Sequence, residues 1–320
     1  MTAKASRAAG RTGRWLRARS IELVAGLVER LPEDLAFRLA DVAGAVAYRV
    51  ARARRERARR NLGRVCRWLA ANDLGTPPAR RASADERALE RLVRLAFRHH
   101  ARYYVEVART PILDAAYLRN RLIIETPDTV EEAFAASPPA VFVGLHFGAI
   151  ELPAVLFAER VGRDAVAPME ELADDRLNRW FVRTRGAAGI RIVGLREARR
   201  ELSRALAHGH PVGLVGDRDL TGGGIRTQLF GAPTSLPAGP ALLALESGSP
   251  IYVAAVRRVG SGRYRGRLEA LETPPPGPRR ERVVAVLESE ARAFERLISD
   301  APEQWWAVFA PIWPDLDDLA

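Results

Sequence analysis

Residues 138–153 read PPAVFVGLHFGAIELP. A proline pair leads into an apolar run, the run ends at His146, and Phe147-Gly148 turns the chain toward a segment with helical character. A short apolar run bounded by turn residues reads as a buried strand. A strand, a Gly turn and then a helix put the imidazole at the carboxyl end of a sheet, where open α/β sheets bind ligands. The chain has five histidines, and this one stands five residues before Glu151 and seven before Pro153. On one continuous helix, positions i and i+5 diverge by about 140° and share no face. The two side chains can meet only if His146 precedes the helix and Glu151 lies in its first turn, which Pro153 favours. A Glu accepting from one ring nitrogen would fix the tautomer and leave the other to take a proton from a hydroxyl. The alternative is a structural histidine capping a turn beside a solvated acid.

Outward from this stretch, the chain alternates. NRLIIET (120–126), DAVAPM (164–169), IRIVGL (190–195), PVGLVGD (211–217), RTQLF (226–230), PIYVAAVRR (250–258) and RGRLEAL (265–271) read as strands. Helical patterns fill 149–161, 172–187, 196–208, 237–248 and 279–299. That alternation predicts an α/β fold, a central mixed sheet flanked by helices. Before it, residues 21–110 are helical and basic. A helix starts at Pro32-Glu33-Asp34 and runs through an arginine-dense end (52–64), and a second covers ALERLVRLAFRHHARYYVEVAR after a surface loop. The expected organisation is a basic flexible arm over 1–20, a helical membrane-proximal region over 21–110 and an α/β domain over 111–320.

The formal charge of +11 and the pI near 10.8 suggest an anionic partner, an acidic lipid surface or a phosphorylated substrate among the candidates. Lys4 is the only lysine, and abundant Ala, Gly and Pro fit a GC-rich genome equally well. Nucleic-acid binding would need exposed aromatics interleaved with the basic residues, and no such platform is legible. A single cysteine, Cys66, excludes an intrachain disulfide and multi-Cys metal sites. No run of about 20 apolar residues is present, so no membrane-spanning helix is expected. IELVAGLVERL (21–31) is amphipathic enough to lie in a membrane interface or to face a core. There is no GxSxG, no P-loop and no GxGxxG.

A second stretch, VGLVGDRDLTGGGIRTQLFGAPTSLPAGPALLAL (212–245), delivers Asp217-Arg218-Asp219 at a strand end, on the rim expected for His146. Arg218 could bind phosphate or carboxylate as a fork, and an acid there could support the histidine from its other side. The bland reading is a salt-bridged loop.

Taken together, GLHFGAIE, DRDLTGGGIRTQLFGAPTSLPAGPALLAL and the terminal APEQWWAVFAPIWPD resemble the lipid A / phosphatidylinositol mannoside acyltransferase branch of the lysophospholipid acyltransferase superfamily. The likeness is clear over about 115–315, and RRN at 59–61 extends it into the helical part. It implies acyl transfer from acyl-CoA, or from acyl carrier protein, to a hydroxyl of a membrane glycolipid. It implies His146 as general base, Glu151 as its partner acid and Asp217 as a second acid near the ring. Glu is usual at that last position in mannoside enzymes, so Asp217 is a departure with a shorter reach. Arg185 matches a basic position that could contact phosphate. Arg218, Asp219, Phe147 and Gly148 complete the expected substrate-binding set. Backbone N–H groups after His146, or a nearby arginine, are the candidate oxyanion donors. No cofactor or metal is implied, acyl-CoA being a co-substrate. The implied setting is peripheral, on an anionic membrane surface at the cytoplasmic face of the bacterial plasma membrane. DRDLTGGGI looks like the mannoside branch and PEQWW like the lipid A branch, which leaves the acceptor open. A thioesterase or lipid hydrolase using the same base, and a non-enzymatic lipid-binding relative, are the rivals.

Overall fold

A computed structural model describes residues 23–161, 165–172, 174–220 and 222–317; the expected basic arm over 1–20 lies outside them. The helical front part comprises α1 (23–30), α2 (Glu33–Val50), α3 (Arg52–Ala71), α4 (Pro77–Arg81) and α5 (Glu86–Arg109). The sequence pattern predicts one unbroken helix from Pro32 through the arginine-dense stretch. The helix instead breaks at Ala51, whose backbone leaves the helical region (φ −91°, ψ 68°). The break lets α2 pack on α5 while α3 turns toward α4, α5 and the chain's end. Neither Gly nor Pro marks it, so local sequence gives no cue.

The remaining helices are α6 (Ala115–Arg121), α7 (Pro127–Ala135), α8 (Leu152–Val161), α9 (Asp175–Ala187), α10 (Ala198–Ala207), α11 (Gly239–Ser247), α12 (Arg279–Ser299) and α13 (Pro314–Asp317). The strands are β1 (Leu122–Ile124), β2 (Val141–Gly144), β3 (Ala165–Met169), β4 (Ile190–Gly194), β5 (Val212–Val215), β6 (Ile225–Leu229), β7 (Ala232–Leu236), β8 (Ile251–Gly260) and β9 (Arg263–Ala270). Seven strands form one sheet in the order β1-β9-β8-β2-β5-β3-β4. Neighbours are parallel except β8 and β9, which are antiparallel. The sheet is therefore mixed, as expected, and flanked by helices. β2 sits near its middle, between β8 and β5. Val141 and Val143 are fully buried, which is why the strand reads as a continuous apolar run.

β6 and β7 form a separate antiparallel hairpin. The strand pattern in the sequence ends at Phe230 and does not announce β7. The two-residue turn Phe230-Gly231 has both residues at positive φ (50° and 69°), a geometry that normally recruits Asn or Gly at its first position. Phe230 occupies it because its ring is buried against Trp68, Trp305 and Trp313. Packing overrides the turn preference and hides the hairpin from a reading of turn chemistry.

One apolar cluster runs from Leu62, Cys66, Val93 and Phe97 of the front helices through Val141 and Val143 to Leu287, Trp305 and Trp313. The helical part and the sheet thus share a core. Much of the arginine on α3 is used internally: Arg59 pairs with Glu56 and Glu86, Arg64 with Asp315, and Arg55 lies over the Tyr48 ring.

Candidate active site

β2 delivers its last residues to the carboxyl rim of the sheet. The chain then tightens: the Phe147 N–H donates to the Leu145 carbonyl at 2.7 Å, and Gly148 takes φ +52°. A Cβ on Gly148 would overlap the Val256 carbonyl oxygen, so the turn needs glycine on both conformational and steric grounds. The C-terminal segment 302–306 straps this turn. The Trp306 N–H donates to the His146 carbonyl at 2.8 Å, the Gly148 N–H donates to the Gln304 carbonyl at 3.1 Å, and Phe147 and Trp305 form an antiparallel bridge.

The His146 ring is held by Asp217. Its Nδ1 lies 2.6 Å from Asp217 Oδ1, and the His146 backbone N–H donates to Asp217 Oδ2 at 2.9 Å. The Trp305 indole N–H donates to the same Oδ2 at 2.7 Å. Burial pushes the Asp217 carboxyl up, but the His146 ring, the Trp305 N–H and the His146 backbone N–H outweigh it and hold it below its ordinary range. An ionised Asp217 accepts at Nδ1, so Nδ1 carries the ring proton and the lone pair stands on Nε2. The ring is 16% exposed whereas Asp217 is fully enclosed.

Glu151 does not reach this ring. It precedes α8, and its Oε1 accepts from Arg185 Nε at 3.1 Å and Arg185 Nη2 at 3.0 Å. Arg185 Nη2 also donates to the Tyr103 hydroxyl at 3.4 Å. Burial disfavours the Arg185 cation, but Glu151 and Tyr103 overcome this and hold it firmly charged. The expected His146–Glu151 pair does not form, because α8 starts at Leu152 and the turn sends Glu151 toward Arg185 of α9. The shorter Asp217 reaches the ring directly, because it leaves β5 beside β2 in parallel register.

The other expected binding residues divide. Phe147 is buried against the strap. Asp219 shapes the glycine-rich loop, accepting from the Gly222 and Gly224 N–H groups at 2.9 and 2.7 Å. Arg218 is half-buried on the rim. The first three amides after His146 are committed: besides Phe147 and Gly148, the Ala149 N–H donates to the Val256 carbonyl at 2.9 Å.

Three supporting groups have no assigned role in the sequence reading, although Gln304 and Trp305 lie in its PEQWW motif. Trp305 fixes Asp217. Arg258 donates to both oxygens of Glu106 and, at 2.9 Å, to the Gly148 carbonyl, which locks the turn from beneath. Gln304 clamps the Arg258 backbone at both N–H and C=O, each at 2.8 Å. These partners stand 46 to 152 residues apart in the chain, so no local pattern shows what they hold.

An apolar cavity of about 200 Å³ opens between the sheet and the helices on one face; Leu145 and Phe147, the chain neighbours of His146, line it, whereas His146 and Asp217 do not. Its lining includes Gly144, Phe147, Glu151 and Arg185 near the rim, and Phe134 and Phe157 beyond.

A profile described as bacterial lipid A biosynthesis acyltransferase matches residues 3–311. The chain is 30% identical over 298 residues to the phosphatidylinositol mannoside acyltransferase of Mycolicibacterium smegmatis, covering 91% of this chain and 90% of that protein. It is 29% identical over 271 residues to the phosphatidylinositol mannoside acyltransferase of Mycobacterium tuberculosis (strain H37Rv), covering 83% of this chain and 78% of that one.

Proposed function

The chain belongs to the bacterial lipid A biosynthesis acyltransferase family and is an acyltransferase for a membrane glycolipid, and we propose that it carries a fatty acyl group from acyl-CoA to a sugar hydroxyl of a phosphatidylinositol mannoside with His146 as general base. The observation that carries this reading is the Asp217-held imidazole, whose chain neighbours Leu145 and Phe147 line an apolar cavity. With Nδ1–H committed to Asp217, Nε2 takes the proton of the acceptor hydroxyl as its oxygen attacks the thioester carbonyl carbon. The carbonyl π pair moves to oxygen, and Nη1 of Arg185, whose Nε and Nη2 are held by Glu151 and Tyr103, offers N–H groups to that oxyanion. The intermediate collapses, the C–S bond breaks and its pair leaves with sulfur. His146 returns its proton to the thiolate and becomes neutral again. Asp217 stabilises the transient imidazolium. The acyl chain occupies the apolar cavity, where burial of each CH₂ is worth about 0.8 kcal/mol.

The glycolipid reaches this site from a membrane surface. Among the described residues no helix is long and apolar enough to cross a membrane. α2 nevertheless exposes Leu35, Leu39, Val42, Val46 and Val50 along one stripe, and α1 exposes Leu23, Val24 and Leu27. Aliphatic stripes of this kind, with Arg38 and Arg49 exposed on α2 beside them, suit insertion at the headgroup level of an anionic leaflet. Use of acyl-CoA puts that leaflet on the cytoplasmic face of the plasma membrane.

The test is product analysis. Purified protein, acyl-CoA and vesicles containing a phosphatidylinositol mannoside should yield one additional acyl ester on the glycolipid by mass spectrometry. Free fatty acid with no acylated lipid would replace this reading by hydrolysis. Transfer only to a lipid A precursor would replace the acceptor, and transfer only from acyl carrier protein would replace the donor.

A further inference from the structure

Arg54 lies in the first turn of α3, which begins Arg52-Ala53-Arg54-Arg55 and carries no acid. Its guanidinium stacks on the Phe309 ring, 4.3 Å from the centroid, and its Nη2 sits 3.1 Å from His100 Nε2. Among the described residues no carboxylate pairs with it. Burial lowers the Arg54 pKa, with Tyr104 opposing, so the cation is held at a cost that no carboxylate offsets. His100 cannot be its counter-ion. Burial, then Arg54, Arg258 and His146, push that imidazole down to about 3 and keep it neutral.

The position is functional in its geometry. His100 meets the Trp306 ring at 5.6 Å, and Trp306 meets the His146 ring edge-on at 4.5 Å. The aromatic row thus runs from Arg54 to the general base. Trp306 also keeps a buried indole N–H with no acceptor. The row therefore holds one unmatched donor, the Trp306 N–H, and a positive charge that no carboxylate pairs with among the described residues. That deficit is complementary to an oxyanion, and a fixed guanidinium fork matches phosphate.

We propose that Arg54, seated on Phe309 and His100 at the end of the Trp306 row, forms a subsite for one phosphate group of a substrate. The inference rests on the acyl-transfer reading for its place in the reaction. Both substrates of that reaction carry phosphate: the nucleotide part of acyl-CoA and the phosphodiester of the acceptor lipid.

The experiment compares wild type, Arg54→Met and Arg54→Lys. Kinetics are measured with acyl-CoA or with the acyl-pantetheine thioester, which has the same reacting group and no phosphate. Acceptors are the phosphatidylinositol mannoside and a mannosyl diacylglycerol. If the donor supplies the phosphate, Arg54→Met raises KM for acyl-CoA by about 10- to 100-fold with kcat nearly unchanged, as expected for one charge-assisted contact. The penalty then vanishes with acyl-pantetheine. If the acceptor supplies it, the penalty follows the phosphorylated acceptor instead. Arg54→Lys restores part of the loss, which a purely structural role would not produce in KM alone. Calorimetry with inorganic pyrophosphate, independent of turnover, should show binding by wild type that Arg54→Met weakens at least tenfold. Unchanged KM for both substrates and unchanged pyrophosphate binding, in variants that melt with wild type, would overturn the subsite. Absence of any transfer by wild type would overturn the function, and the pyrophosphate comparison would still decide the subsite.

Discussion

Asp217 grips His146 twice, once at the ring and once at the backbone, and Trp305 fills the remaining capacity of Oδ2. A carboxylate satisfied in this way can stay ionised in a fully buried place. Asp217→Asn keeps the shape but removes the charge and favours the wrong tautomer. Transfer should fall by about 10²- to 10⁴-fold with little change in KM, read by steady-state kinetics. Glu151 has a different task. It neutralises Arg185 in an enclosed pair, and Glu151→Ala strands that cation. The loss should be about 3 kcal/mol in a denaturant titration, and Glu151→Ala/Arg185→Met should recover part of it. Which of two nearby acids holds a histidine is invisible to spacing. Glu151 stands five positions away in sequence yet faces α9, whereas Asp217, 71 positions away, arrives on the adjacent strand.

At the scale of elements, the site is a strand end pinned from two directions. The strap 302–306 holds the His146 turn from one side, and Arg258 on β8 holds it from below. Gly148→Ala should cost about 2 kcal/mol or more and disturb the base, because a methyl meets the Val256 carbonyl in a left-handed backbone; thermal melting and kinetics read both effects. Under the neighbouring strand end, α12 places Glu290 against Gly216, with no hydrogen-bond partner for either carboxylate oxygen. Burial, and then Asp217, raise its pKa well above the ordinary value. The unfolded chain ionises Glu290 in the usual carboxylate range while the native chain keeps it protonated. Its stabilising contribution is therefore present at acid pH and is lost as pH rises. Glu290→Gln should raise Tm at pH 8 and give a smaller gain, or none, near pH 4. Equal gains at both values would contradict the assignment of a neutral buried acid. The main strands are legible in the sequence because their apolar runs are continuous or alternating. β7 is not, because its turn uses a phenylalanine that only tertiary packing can justify, and α7 is short enough to be masked by the strands on either side.

At the scale of the molecule, a shared core joins the helical front to the sheet, and the front presents an aliphatic face outward. Leu39→Glu/Val42→Glu should reduce cosedimentation with anionic vesicles about tenfold or more while leaving Tm unchanged, since both side chains are exposed. The sequence discloses the fold class, the rim position of His146 and the family through motifs on two strand ends, in the hairpin leading to α11 and in the strap 302–306. It does not disclose the bracing of the site, which is made by side chains far apart in the chain.

The account stands on His146 as the group that removes the acceptor's proton. The most direct measurement is the initial rate of acyl transfer to the glycolipid by His146→Ala, in protein whose melting curve matches wild type. The account predicts a fall of about 10³-fold or more. A rate within tenfold of wild type would contradict it.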